Sequence, residues 1–175
     1  MLGHYENFPD TVHGVTHFTH TTSLKAVQQV IVVALGQLNQ KKCSLEEVAR
    51  SVGPRCEVDF EVGVGEETNF TFLDDSEMER LEREISRKAL PLLDFLCVLQ
   101  YHLIKEPERR SPLKFDYFLL RFAFAKNLTE LLVSHERGTQ RVHVEDLMRF
   151  VIERVRKRLA EDFPVPPRTS DRKEA

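Results

Sequence analysis

Phe115–Arg137 reads FDYFLLRFAFAKNLTELLVSHER, and the way this stretch folds decides the architecture. Aromatic and branched apolar residues crowd its first half, the apolar pattern resumes at Leu128, and Lys126-Asn127 can turn the chain because Asn tolerates positive φ. The spacing predicts a hairpin with Lys126 and Asn127 as its two loop residues. Phe124 then faces Thr129, Phe122 faces Leu131, Leu120 faces Val133, Phe118 faces His135 and Asp116 faces Arg137, so an apolar face closes with an opposite-charge pair. The other face pairs Ala123 with Glu130, Arg121 with Leu132, Leu119 with Ser134 and Tyr117 with Glu136, a half-polar surface suited to partial cover. A slip of one residue sets both faces in conflict. The competing reading is one long helix through Phe115, Phe118, Phe122 and Leu132, because short apolar runs are ambiguous by period alone. The hairpin is preferred.

Upstream, Cys56, Val58, Phe60, Val62 and Val64 alternate strictly with Glu57, Asp59, Glu61 and Gly63, the clearest strand pattern in the chain. Gly65 to Thr68 can turn it back into Phe70 and Phe72 as a second hairpin. A polar arm over residues 1–13 leads into a third strand region at Val15–Thr21. Helices are expected elsewhere. Thr22 or Ser23 caps a run whose Leu24, Val27, Ile31, Leu35 and Leu38 recur at helical spacing. Ser44 to Glu47 forms a capping-box pattern for a short helix that Gly53-Pro54 stops. Asp75 or Ser76 opens a charged helix through Met78, Leu81 and Ile85, and Pro91 forces a restart.

Leu92–Ile104 has almost no polar face, which predicts a central helix or one that meets another subunit. Glu106–Ser111 reads as a charged loop. Val144–Leu159 spells a last amphipathic helix, with Glu145 and Asp146 near its start and Arg154, Arg156, Lys157 and Arg158 near its end, both complementing the helix dipole. Residues 162–175, rich in Pro and charge, read as a disordered tail. The expectation is one α+β domain over residues 1–161. It has a mainly antiparallel sheet of about five strands, two hairpins plus the N-terminal strand, and three to five helices packed on it.

Lys and Arg total 25 against 28 Asp and Glu among 175 residues, too even to announce a nucleic-acid or membrane partner by charge. Three widely spaced cysteines without a CxxC indicate neither a disulfide framework nor a zinc ribbon, which fits a reducing cytoplasm. No basic leader followed by an apolar core stands at the N-terminus, and no apolar run is long enough to span a membrane.

Four of seven histidines, His4, His13, His17 and His20, fall in the first twenty residues, and imidazole is both a metal ligand and a near-neutral acid or base. His13, His17 and His20 are the candidate metal ligands, with His17 and His20 the candidate catalytic groups. On a strand, His17 and His20 point to opposite faces, so the set converges only if the arm loops or coils. Ordinary surface or partly buried histidines are the plainer reading. Glu57, Asp59 and Glu61 form a carboxylate row whose same-face spacing of roughly 7 Å is wide for one ion, so a solvated strand face is preferred. Arg154, Arg156, Lys157 and Arg158 are the candidate partner-binding residues, but interleaved acids and the lack of an aromatic platform argue against nucleic acid. His135 and Arg121 fall close to the core and need partners; Glu130, diagonal to Arg121, is one.

No glycine run cradles phosphate and no GxSxG, P-loop or HExxH pattern occurs, so no cofactor is indicated. The leading expectation is a small soluble cytoplasmic binding or assembly module without catalysis of its own. It is expected to self-associate through Leu92–Ile104 and the half-polar hairpin face. A metal- or histidine-dependent enzyme acting on a small polar substrate is the alternative, and a weak nucleic-acid binder the third reading.

Overall fold

The predicted hairpin forms the middle of the molecule. In the computed structural model, which describes residues 1–39, 41–49, 55–105 and 109–164, β6 (Arg109–Ala125) turns at Lys126-Asn127 into β7 (Leu128–Gly138). Asn127 takes φ 61° at the turn. Phe124 pairs with Thr129, Phe122 with Leu131, Leu120 with Val133 and Phe118 with His135, as the alternation requires. Beyond that the register shifts: Glu136 is an extra residue, Tyr117 pairs with Arg137 and Asp116 with Gly138. The expected Asp116–Arg137 pair is therefore not made. The bulge turns Arg137 over the Tyr117 ring, at 4.8 Å, and leaves Asp116 facing inward.

Around this hairpin lie β1 (Gly14–Thr19), β2 (Lys42–Ser44), β3 (Cys56–Glu66), β4 (Asn69–Phe72) and β5 (Leu92–Lys105). Among the described residues the seven strands make one sheet in the order β1-β7-β6-β5-β3-β2, with β4 hairpinned onto β3, and every strand pair is antiparallel. The α+β class holds, with more strands than the expected five.

The largest correction is β5. Leu92–Ile104 is a central strand, between β3 and β6, and not a helix. A strand covered on both faces loses its visible alternation, because even the less buried side is apolar. Leu93, Phe95, Cys97, Leu99 and Tyr101 point into the main core, while Leu92, Leu96 and Val98 alternate with them toward the other face. With only Val98 and Ile104 β-branched, propensity leaned the wrong way. Leu103, Ile104 and Lys105 pair with Ser111, Arg110 and Arg109, so those three β6 residues are ladder and not loop; residues 106–108 lie outside the described set. A helix built on Leu92–Ile104 is thus not available as a subunit contact.

Four helices complete the described chain: α1 (Leu24–Leu38), α2 (Leu45–Ala49), α3 (Asp75–Arg87) and α4 (Val144–Asp162). Ser23 caps α1 by accepting from Ala26 N, and Asp74, one residue before the expected cap, does the same for α3 from Glu77 N. The apolar stripes of α1 (Val27, Ile31, Leu35) and α4 (Leu147, Val151, Val155) are buried with Phe118, Leu120, Phe122, Leu131 and Val133 in one core. Removing such side chains from water stabilises by about 1.5–3 kcal/mol each, which is why hydrophobic phase, more than propensity, places these helices. The helix α4 runs past Leu159 through Glu161 and Asp162, so its last turn holds acids and no base. The expected basic complement to its C-terminal dipole therefore sits about a turn too early. Gly53-Pro54 and residues 165–175, the bulk of the expected tail, fall outside the described residues.

The helix-free face carries the arm. Gly3 N donates to Gly65 O at 2.8 Å, Asp94 N to Gly3 O at 2.7 Å and Glu6 N to Glu67 O at 2.8 Å, so residues 2–6 lie against the sheet by backbone bonds. Tyr5 packs on Phe70, ring centroids 4.4 Å apart.

Candidate functional site

The three nominated histidines go to different places. His13, just before β1, accepts the His135 N–H on Nδ1 at 2.9 Å. His17 is exposed on the helix-free face, opposite Glu130. His20 is buried on the other side, as strand alternation predicts for this pair. Its Nε2 lies 2.9 Å from Thr129 Oγ1 and its Nδ1 lies 3.3 Å from Thr22 O. The carbonyl accepts only, so the proton is assigned to Nδ1, and Nε2 takes the Thr129 hydroxyl. Neither nitrogen is left for a metal. Among the described residues no three His, Cys, Asp or Glu side chains converge as a metal site.

What His20 does is hold a turn. Its N–H continues the β1–β7 ladder to Asn127 O at 3.1 Å while its ring ties the β1–α1 link to β7. The strand end, the hairpin turn and the C-terminal part of α4 then enclose a cleft of about 470 Å³, lined by Thr19–Thr22, Asn127, Arg156, Leu159, Ala160 and Phe163. One wall carries hydroxyls and an amide beside the α1 N-terminus; the other, from α4 and its end, is apolar apart from Arg156. No Asp or Glu is among the lining residues, and among the described residues Arg156 makes no ion pair or hydrogen bond. Thr22 Oγ1 is buried and, among the described residues, has no hydrogen-bond partner.

Helical geometry divides the basic cluster that looked contiguous in sequence, since each residue turns roughly 100° from the last. Arg154 lies over the Phe150 ring at 4.5 Å, Arg158 pairs with Asp162 at 3.0 Å, and Lys157 is exposed. Arg156 alone of the four lines the cleft. Two separately nominated residues, His20 and Arg156, are thereby brought together. Compared with known proteins, the chain has no significant match to a family model, a curated protein or a solved structure.

A second polar centre lies at the other end of the hairpin. Asp116, fully buried, accepts from the Tyr101 hydroxyl at 2.5 Å and Arg141 N at 3.0 Å on Oδ2, and from His135 Nε2 at 2.9 Å and Gln140 N at 2.7 Å on Oδ1. Burial raises its pKa, yet these donors outweigh burial and hold the carboxyl below its ordinary value. Burial, and then Asp116 itself, pushes the Tyr101 phenol well up. His135 Nδ1 meets Gln140 Nε2 at 3.2 Å, so the imidazole is occupied at both nitrogens. The cluster anchors the chain after Gly138, whose φ of 123° sits at the turn away from β7. His135 is legible in the sequence as a group that needs a partner and Asp116 is not, because the bulge that turns Asp116 inward has no signature beyond Gly138.

Arg121 finds its partner in Asp94, not in Glu130, which is exposed. Asp94 lies inside the apolar run whose composition predicts a helix, and only the β5–β6 ladder sets it opposite Arg121. The carboxylate row lies along β3 as expected, and Asp59 Oδ2 comes within 2.9 Å of His102 Nε2, a close approach without hydrogen-bond geometry.

Proposed function

We propose that the chain is a small binding module without catalysis of its own, and that its ligand enters the cleft between the β1–α1 link, the β6–β7 turn and α4. The observation that carries this is the Arg156 guanidinium, without an ion pair among the described residues, in a cleft whose lining combines hydroxyl groups with an apolar wall. Specific small-molecule sites have this composition: mostly apolar, with a few placed polar groups. The histidine-dependent alternative has less support, since His13 and His20 already hold protein partners. The nucleic-acid reading has less too, since the basic residues of α4 are dispersed. We place the module in a reducing compartment such as the cytoplasm, a reading supported by Cys43, Cys56 and Cys97, all buried free thiols.

A fragment screen by amide and methyl NMR tests the site. Shifts are expected to cluster on Thr19–Thr22, Asn127 and Leu159, and to vanish in Ala160→Phe, which fills the cleft. Hits that map elsewhere, or that survive the substitution, sink the proposal.

Self-association is a second reading, favoured by Phe115, Val15 and Leu128, which stand exposed on the helix-free side. Sedimentation is expected to show a dimer that Phe115→Ser dissociates; a monomer at every concentration overturns it.

A further inference from the structure

Resting on the cleft as the binding site, we propose that its ligand is an amphiphilic anion, a carboxylate or phosphate joined to an apolar group. The lining separates into two halves that ask for different chemistry. Thr19, Thr21 and Asn127 supply hydroxyl and amide donors, and Arg156, reaching from α4, supplies a fixed positive charge with several N–H groups. The first turn of α1 carries no acidic residue, so apart from the Ser23 cap no side-chain charge counters its positive end beside this wall. Lys25, in that turn, is directed away to Ser86 O at 3.0 Å and does not compete for the anion.

The opposite half is made by Leu159, Ala160 and Phe163, and Phe163 is 41 % exposed although it follows the last helical turn. Its ring forms an open apolar shelf. A free inorganic anion would leave that shelf wet, and a neutral apolar molecule would strip Arg156 of water without pairing it, which is costly. A cation is disfavoured by Arg156. The C-terminal end of α4 carries the negative end of its dipole, which keeps the charged head on the threonine side and lays the apolar part along Phe163. The volume of about 470 Å³ lies within the range of small-molecule sites.

The experiment is a titration of the full chain with octyl phosphate, followed by calorimetry and amide NMR, beside inorganic phosphate, octyl glucoside and octyltrimethylammonium. Octyl phosphate is expected to bind at the cleft at least tenfold more tightly than any of the other three. Arg156→Gln, at an exposed helix position, is expected to weaken it at least tenfold, whereas Arg158→Gln, whose partner is Asp162, leaves it unchanged. Cosedimentation with vesicles containing phosphatidic acid, lost in Arg156→Gln, assigns the ligand to a membrane lipid; octyl phosphate binding without cosedimentation assigns it to a soluble amphiphile. Equal affinity for octyl glucoside, or an Arg156→Gln variant that binds octyl phosphate normally, overturns the anion. If no probe of any charge shifts the cleft resonances, the cleft itself falls as a binding site and the proposed function falls with it.

Discussion

Arg121 grips both oxygens of Asp94 across the β5–β6 ladder, Nε to Oδ1 at 2.7 Å and Nη2 to Oδ2 at 2.8 Å. Asp94 Oδ2 also accepts the Tyr5 N–H at 2.8 Å, and Arg121 lies under the Phe8 ring at 4.2 Å. The pair therefore joins the middle of the sheet to the arm. Replacing Arg121 by Met strands a buried carboxylate, so we expect a loss of about 3–5 kcal/mol. Urea denaturation gives that number, and faster hydrogen exchange at Tyr5 shows whether the arm lifts. A loss under about 1 kcal/mol with Tyr5 still protected would exclude this role for the pair.

The Asp116 cluster makes an acid-linked prediction. Its folded pKa is depressed, so its contribution is complete above the unfolded value of about 3.9 and is lost as pH falls through the folded value. Asp116→Asn places an amide that donates where four donors already point. At neutral pH the variant should be less stable by about 2–4 kcal/mol, and the gap should narrow below about pH 4. A gap that stays constant from pH 7 to pH 3 contradicts the assignment.

Cys97 is enclosed at the sheet centre, and burial pushes its thiol up to about 12. At pH 8 only about one molecule in ten thousand then carries the thiolate that reacts with disulfide reagents. Burial raises Cys43 and Cys56 as well. Native protein should label slowly with an aromatic disulfide, and Cys97 should react only as the chain unfolds in urea. Stoichiometric labelling of Cys97 within seconds in native buffer runs against this.

Two kinds of information were legible in the chain and two were not. Where one face meets the core and the other carries polar side chains, as with Glu57, Asp59 and Glu61 in β3, alternation set strand, face and register, and the register of the hairpin from Phe118–His135 to Phe124–Thr129 followed from side-chain identity alone. The stripes of α1 and α4 were legible for the same reason. In β5, apolar cover on both sides erased the alternation, and with it went Asp94, the partner of Arg121. The cleft was hidden differently. His20 and Arg156 were each visible, but their meeting depends on where α4 packs, a relation between residues 136 positions apart that no local pattern encodes.

The turn residue Asn127 gives the sharpest test of how the fold builds the cleft. Its φ of 61° is a conformation in which a Cβ without a compensating side-chain hydrogen bond is strained, whereas glycine adopts it freely. Asn127→Ala should therefore cost about 1 kcal/mol, and Asn127→Gly should be close to neutral. Stability alone would not separate the turn from other sites. The Asn127 carbonyl, however, accepts the His20 N–H at 3.1 Å, and a backbone acceptor survives either substitution only if the turn keeps its shape. In Asn127→Gly the His20 amide should stay protected and its ring should keep the Thr129 contact. In Asn127→Ala the His20 amide should exchange faster by the factor that matches the lost stability if the whole hairpin opens, and by more if the turn alone relaxes. An alanine variant as stable as the parent, beside a glycine variant that is weaker, would mean that the positive φ carries no penalty at this turn and that the Asn127 amide does not hold it, and the strain argument would fall.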